Sequence, residues 1–180
     1  MRQAIYRLFW AWDFDKEEKW LNEMAARGLS LVAVGFAKYT FEESLPGEYN
    51  IRLELLENLP SHPESQNYLR FLEETGVEYL GSITRWAYFR KKTQDGEFNL
   101  FSDNTSRIKH LNRMLVYFAI IALSCIVAAI SNFTSYFGSG YLANLVVGIV
   151  SLCLGVFIGF GYFHIDKKKR RYKKEQVLFE

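Results

Sequence analysis

The sequence predicts an α+β protein, in which a ferredoxin-like βαββαβ cytoplasmic domain over residues 1–95 precedes a two-helix transmembrane hairpin. Two observations carry this prediction. Residues 1–95 repeat one order of strand, helix and strand, and the fifty residues 114–163 contain no Asp, Glu, Lys, Arg or His. A helix in a soluble core shows a polar face within two turns, so only a membrane explains so long an uncharged stretch.

The first repeat opens with alternating side chains over residues 3–12, which is typical of a strand. Asp15 lies three residues before Glu18 and predicts a capping box at the start of a helix. Gly28 predicts the end of that helix, because glycine is favoured just after a helical carboxyl end. A long second strand is predicted over Leu29–Phe41.

The second repeat has the same predicted order of strand, helix and strand. Tyr49–Leu55 alternates as a half-buried strand, Ser61 and Glu64 form a second capping box, and Gly76 ends the helix. Val77–Lys91 is the predicted last strand. Two right-handed crossovers place both helices on one face of a four-stranded ferredoxin-like sheet and leave the other face open.

The open sheet face is the predicted binding surface. Aromatic side chains and arginines on it have the composition of interface hot spots. Ordinary strand aromatics are the alternative, since strands favour such residues anyway. The candidates for a ligand or partner site are Arg7, Phe9, Arg52, Glu54, Trp86 and Tyr88.

The uncharged stretch predicts two spans, about 114–131 and 141–163, each near the ~20 residues that cross ~30 Å of hydrocarbon. Residues 132–140 between them are rich in turn formers and aromatic side chains and predict the connection. Residues 96–113 predict a juxtamembrane linker, either an amphipathic helix on the membrane surface, capped by Ser102 or Asp103, or an extension of the first span.

The basic residues predict the orientation. They lie before the first span and after the second, and the connection has none. The positive-inside rule therefore places both termini in the cytoplasm of a two-pass inner or plasma membrane protein, and no cleavable signal is expected. The tail, 164–180, is expected to bind lipid head groups through Lys167, Lys168, Lys169, Arg170, Arg171, Lys173 and Lys174.

The charge balance disfavours nucleic acid as a partner. Residues 1–100 hold 12 basic and 16 acidic side chains, a net charge of −4, whereas a phosphate-binding surface is basic. Both cysteines, Cys125 and Cys153, lie in the predicted spans, which leaves none in the first hundred residues for a disulfide, a thiolate zinc site or a nucleophile.

Small residues recur on the second span at Ser151, Gly155 and Gly159. This spacing lets helix backbones approach closely in lipid. These small residues have two possible roles, packing within the hairpin and formation of an oligomer, and the sequence does not choose between them. No ionisable residue lies inside either span, which argues against a pump or channel made by the hairpin alone.

No sequence motif for chemistry is present. A phosphate-binding loop, a dinucleotide fingerprint and a histidine pair with ligand spacing are all missing, so we expect no catalytic residue, cofactor or metal. Asp13, Asp15, Glu17 and Glu18 form an acidic cluster, which a helix amino terminus favours. An enzyme that uses this cluster on a lipid or nucleotide is the least favoured hypothesis.

The opening block Tyr6–Phe14, with Lys19–Ala25 after it, resembles the bacterial domain of unknown function 2812 family. Pro46–Tyr49 and Phe101–Asp103 are similar to later blocks of that family. Its members are small membrane proteins, often encoded beside PadR-like transcriptional regulators. The resemblance implies a role in regulated membrane or envelope responses, and it implies no catalytic residues.

These observations lead to one main hypothesis, a membrane-anchored, non-enzymatic binding or regulatory module. Its cytoplasmic domain would hold a protein or small ligand. The alternative is an accessory subunit of a transporter or other membrane complex, assembled through the hairpin. The expected partners are membrane lipids and either another protein or further copies of the chain.

Overall fold

The computed structural model of the chain describes residues 2–100 and 104–179, with side chains described for 2–100 and 106–174. The chain divides into two compact units, Met1–Ser102 and Asp103–Glu180. The first unit is α+β, and the second is a pair of long apolar helices. The predicted fold class is confirmed at this level.

The first unit contains one order of elements twice, strand–helix–strand–strand. The two copies follow one another along the chain, which confirms the repeat. The elements of the first copy are β1 (Arg2–Tyr6), α1 (Phe14–Ala26), β2 (Leu29–Gly35) and β3 (Lys38–Glu43). Those of the second copy are β4 (Tyr49–Leu55), α2 (Pro63–Glu74), β5 (Glu78–Ile83) and β6 (Trp86–Lys92).

Each copy forms a three-stranded antiparallel sheet with its last strand in the middle. The orders are β1-β3-β2 and β4-β6-β5. The four-stranded ferredoxin-like sheet is therefore not confirmed. The predicted long strands Leu29–Phe41 and Val77–Lys91 each fold back into a hairpin, at Ala37 and Thr84. These residues have φ of 51° and 55°, a left-handed conformation that non-glycine residues seldom adopt.

The helix starts differ from the predicted capping boxes. Helix α1 begins at Phe14, one residue before the predicted cap at Asp15, and Asp13 at the cap position makes no side-chain capping bond. Helix α2 is capped by His62, whose Nδ1 accepts a hydrogen bond from the backbone N–H of Glu64. The predicted cap, Ser61, lies one residue earlier. The carboxyl ends agree with the prediction, since Gly28 adopts φ of 83° just after α1.

The two copies share one hydrophobic core. Leu21 of α1 and Phe41 of β3 pack in the same buried cluster as Ile51, Leu53 and Tyr88 of the second sheet. The other face of the second sheet packs with α2 in a separate cluster, formed by Leu56, Leu69, Leu72, Val77, Ala87, Phe89 and Phe98. The second sheet is thus covered on both faces, and its predicted open face is not exposed.

Helix α1 also covers the free edge of β4. The side chain of Asn22 both donates to the carbonyl oxygen of Ile51 and accepts from its N–H, each at 2.9 Å. Two residues further along β4, the backbone N–H of Leu53 donates to Glu18 Oε2 at 3.0 Å. These side chains replace the backbone partners that a neighbouring strand would supply.

The second unit consists of α3 (Asn104–Ser139) and α4 (Leu142–Phe179), packed against each other. The stretches Ser106–Ser139 and Leu142–Lys174 are long and apolar enough to cross a membrane. Helix α3 is continuous from residue 104, so residues 104–113 extend the first span. The predicted cap at Ser102 or Asp103 lies outside the described residues.

The connection between the long helices is shorter than the predicted 132–140. Helix α3 continues to Ser139, and only Gly140 and Tyr141 separate it from α4. The polar side chains read as turn formers instead bond back within the helix: Asn132 Nδ2 donates to the carbonyl oxygen of Ala128 at 2.8 Å. Such bonds satisfy a polar side chain without ending a helix.

Candidate functional site

A pocket of about 110 Å³ opens where the two copies of the first unit meet. Residues from both copies line it. They come from the segment between β1 and α1, from the amino-terminal half of α1, and from both hairpins. The lining residues are Leu8, Phe9, Ala11, Phe14, Glu17, Phe36, Ala37, Tyr39, Ile83, Trp86 and Tyr88.

Glu17 supplies the carboxylate of this pocket, and two tyrosines hold it. Tyr39 Oη donates to Glu17 Oε1 at 2.7 Å, and Tyr88 Oη donates to the same oxygen at 2.6 Å. Tyr39 lies on β3 and Tyr88 on β6, the middle strands of the two sheets. Glu17 therefore joins the two copies through corresponding tyrosines.

Burial governs the protonation of all three groups. It raises the pKa of the Glu17 carboxyl above its ordinary value of 4.5, and the hydrogen bonds from Tyr88 and Tyr39 act in the opposite direction. Burial and the neighbouring Glu17 also raise the pKa of both phenols. The tyrosines consequently stay protonated and act as donors throughout the physiological pH range.

The walls of the pocket are aromatic. The rings of Phe14 and Trp86 lie 5.5 Å apart, and Phe9 meets Tyr39 edge-on at 6.3 Å between ring centres. At the mouth, Phe36 is 84% exposed. An aromatic pocket with one carboxylate and an apolar mouth suits a small organic molecule better than a protein segment.

Four of the predicted site residues lie at or beside this pocket. Phe9, Trp86 and Tyr88 line it. Arg7 stands next to it, with its guanidinium 4.8 Å from the centre of the Phe9 ring and 5.0 Å from that of Trp20. Tyr88 is only 3% exposed, so the structure places it at the inner end of a pocket and not on an open sheet face.

The other two predicted residues lie elsewhere. The alternation of β4 turns Arg52 and Glu54 away from Leu53 and toward the α2 side of the sheet. Arg52 Nε donates to the carbonyl oxygen of Phe98 at 2.9 Å. Glu54 is 7% exposed and accepts a hydrogen bond from Tyr68 at 2.7 Å. Both side chains are engaged in contacts within the first unit.

The small residues of α4 play different parts. A Cβ atom on Gly155 would lie 3.3 Å from Cys125 Cβ, so this glycine gives α3 and α4 their close approach. Gly148 is tighter still, since a Cβ there would lie 2.7 Å from the Phe133 ring. A Cβ on Gly159 would meet nothing within 4 Å. Ser151 is half-buried on the same helix.

The basic residues proposed for lipid head groups continue α4 as regular helix. Lys167, Arg170 and Arg171 are exposed, and Arg170 Nε pairs with Asp166 at 2.7 Å within the helix. Within residues 2–100 and 104–179, no group of three or more His, Cys, Asp or Glu side chains is placed to hold a metal ion.

The sequence reading did not select Glu17 or Tyr39. Glu17 stood in an acidic cluster that a helix amino terminus explains, and Tyr39 in the middle of a predicted strand. One signal was available. Tyr39 and Tyr88 occupy matching places in the two repeats, and a tyrosine at both places indicates that the two hydroxyl groups could bond to the same side chain.

Comparisons with known proteins give one match. The family model described as "Protein of unknown function (DUF2812)" matches residues 13–123, which is more than half of the chain. No curated protein and no solved structure matches. The match spans α1, with Glu17, through β6 and into α3, and it confirms the resemblance seen in the sequence.

Proposed function

The chain belongs to the family described as "Protein of unknown function (DUF2812)", and from this premise we propose that it is a membrane-anchored, non-enzymatic binding module. Its first unit would hold a small organic molecule in the pocket around Glu17. The hairpin of α3 and α4 would keep that unit at a membrane. The observation that carries the proposal is the aromatic pocket between the two copies.

The size and lining of the pocket support a ring-sized ligand. An enclosed apolar cavity of about 150 Å³ binds benzene; this pocket is smaller, at about 110 Å³, but it opens to solvent, so a bound ring need not be wholly enclosed. Trp86 and Phe14, whose ring centres lie 5.5 Å apart, both contribute aromatic surface to the pocket wall, and a bound ring can pack against such surface. Leu8 and Phe36, at the rim of the pocket, are 56% and 84% exposed, so neither belongs to the buried core.

The membrane anchor is supported by the surfaces of the long helices. Many of their exposed side chains are large and apolar, including Ile120, Leu123 and Val127 on α3 and Val156 on α4. Such side chains face lipid at little cost and face water at a large one. Both termini on the cytoplasmic side, and any association with a further membrane protein, are parts of the proposal.

Binding is tested with three probes of one size and different charge: benzyl alcohol, benzoate and benzylammonium. The full chain, purified in mild detergent, is titrated with each by calorimetry. At least one probe is expected to bind. Trp86→Ala removes a wall and should weaken that binding about ten-fold, the equivalent of about 1.4 kcal/mol.

Trp10→Ala is the matched control. Trp10 is half exposed and stacks on Trp12 with 5.6 Å between ring centres, and it does not line the pocket. This variant should bind the probes as the unaltered chain does. Equal weakening by both substitutions, or no binding of any probe, would contradict the proposed function.

A further inference from the structure

We propose that the pocket selects a small organic cation, with Glu17 as its counter-ion. This inference rests on the proposed function and adds the charge of the ligand. Three features of the pocket support it: the carboxylate, the lack of a basic partner among the described residues, and the aromatic walls.

The carboxylate of Glu17 is buried but only half used. Both tyrosines donate to Oε1, at 2.7 and 2.6 Å. No donor to Oε2 is found in the part of the chain that the structure describes. Oε2 is not a buried unsatisfied atom, so it keeps some contact with solvent, and a ligand in the pocket that donates to Oε2 or carries positive charge can reach it.

No basic side chain of the described residues forms an ion pair with Glu17. The neighbouring charges of α1 are engaged elsewhere: Asp13 pairs with Lys16 at 2.8 Å, and Glu18 pairs with Arg52 at 3.3 Å. A buried charge is normally matched by an opposite one. Here the protein supplies two phenols and leaves the place of the cation to another molecule.

The walls favour positive charge as well. Phe9, Phe14, Trp86 and the two tyrosines surround the space beside the carboxylate. The faces of aromatic rings attract cations, and the attraction is stronger when the contact is desolvated. Arg7 lies over the ring of Phe9, 4.8 Å from its centre, so this ring already takes part in a cation–π contact. Carboxylate and rings together disfavour an anion.

The charged and titratable groups that face Glu17 are few. Tyr88 of β6 and Tyr39 of β3 bond to it, and Arg7, after β1, acts on Tyr39 from outside the pocket. The phenols stay protonated, so Glu17 is the group of the three whose charge changes as the pH rises through its raised pKa. Cation binding is therefore expected to strengthen as the pH rises and Glu17 ionises.

The test uses the full chain in detergent at neutral pH and the same three probes. Benzylammonium should bind at least ten-fold more tightly than benzyl alcohol, and benzoate should bind most weakly. Glu17→Gln should lower the affinity for benzylammonium at least ten-fold and leave that for benzyl alcohol unchanged. Glutamine can still accept both tyrosine hydrogen bonds, so the variant is expected to fold.

Glu23→Gln on the same helix is the matched control, because Glu23 makes only a surface pair with Lys19, at 4.0 Å. It should leave all three affinities unchanged. Benzyl alcohol binding as well as benzylammonium would overturn the charge selection and leave the proposed pocket intact. Binding of none of the probes would overturn both. The probe ranking is read on the unaltered chain, so it holds whether or not the Glu17 variant folds.

Discussion

Glu17 ties the stability of the first unit to pH through its burial. Its pKa is raised in the folded chain, so the folded state holds this proton more tightly than the unfolded state. The resulting stability is fully present below the ordinary pKa of 4.5 and is lost as the pH rises through the raised value. Each unit of increase in the pKa is equivalent to about 1.4 kcal/mol.

Glu17→Gln is expected to remove this dependence. The unfolding temperature of the unaltered chain, minus that of the variant, should fall as the pH rises from below 4.5 toward neutrality. Taking the difference cancels every other titrating group. A difference that does not change with pH would show that Glu17 titrates normally. Saturating benzylammonium should reduce the loss of stability at higher pH if the cation is the partner of Glu17.

Glu17 also shows the limit of residue-level prediction. Four acidic side chains in six positions at a helix start have a sufficient local explanation, the helix dipole. The sequence contains no sign that one of them turns inward, because that depends on β3 and β6 bringing two tyrosines to the same point. Phe9 and Trp86 were selected because strand alternation placed them on the open face of the predicted sheet, and both line the pocket although that face is not exposed.

At the scale of elements, the edge of β4 at Ile51 is covered by one asparagine. Asn22→Ala would leave both the N–H and the carbonyl oxygen of Ile51 without their side-chain partner. Because these groups are buried, we expect a loss of about 2 kcal/mol in the free energy of unfolding. Thermal and chemical unfolding of the full chain, followed by tryptophan fluorescence, would measure it.

Asn50→Ala provides the comparison within the same strand. Asn50 Nδ2 donates to Thr93 Oγ1 at 3.3 Å in a solvent-exposed hydrogen bond, so its removal should cost no more than about 0.5 kcal/mol. If the two variants lose equal stability, the edge of β4 does not depend on Asn22, and the covering role of α1 would have to lie in Glu18 alone.

The elements that the sequence predicted best are those with local signals. The ends of both helices follow from glycines, and the repeat follows from its two matching orders of elements. The missed features are the two hairpin turns, at Ala37 and Thr84, where neither residue is a usual turn former. Reading each hairpin as one long strand removed two strands and led to a single ferredoxin-like sheet.

At the scale of the whole molecule, the two long helices exceed what a bilayer requires. The 36 residues of α3 span about 54 Å at 1.5 Å per residue, against a hydrocarbon thickness of about 30 Å. In the proposed membrane-spanning arrangement, part of each helix would therefore extend beyond the hydrocarbon. On α4 that part carries the basic residues 167–174, and the tight connection at Gly140 and Tyr141 carries no charge.

This charge distribution predicts the topology. Because basic residues near a span are retained on the cytoplasmic side, green fluorescent protein fused to either terminus should fluoresce, and alkaline phosphatase fused there should be inactive. Phosphatase inserted after Gly140 should be active. Changing all seven basic residues of 167–174 to Gln removes most of the bias and should give phosphatase activity at the termini in a fraction of the molecules. Full phosphatase activity at the carboxyl terminus of the unaltered chain would instead place the first unit and its pocket outside the cytoplasm, where a cation reaches Glu17 without crossing the membrane.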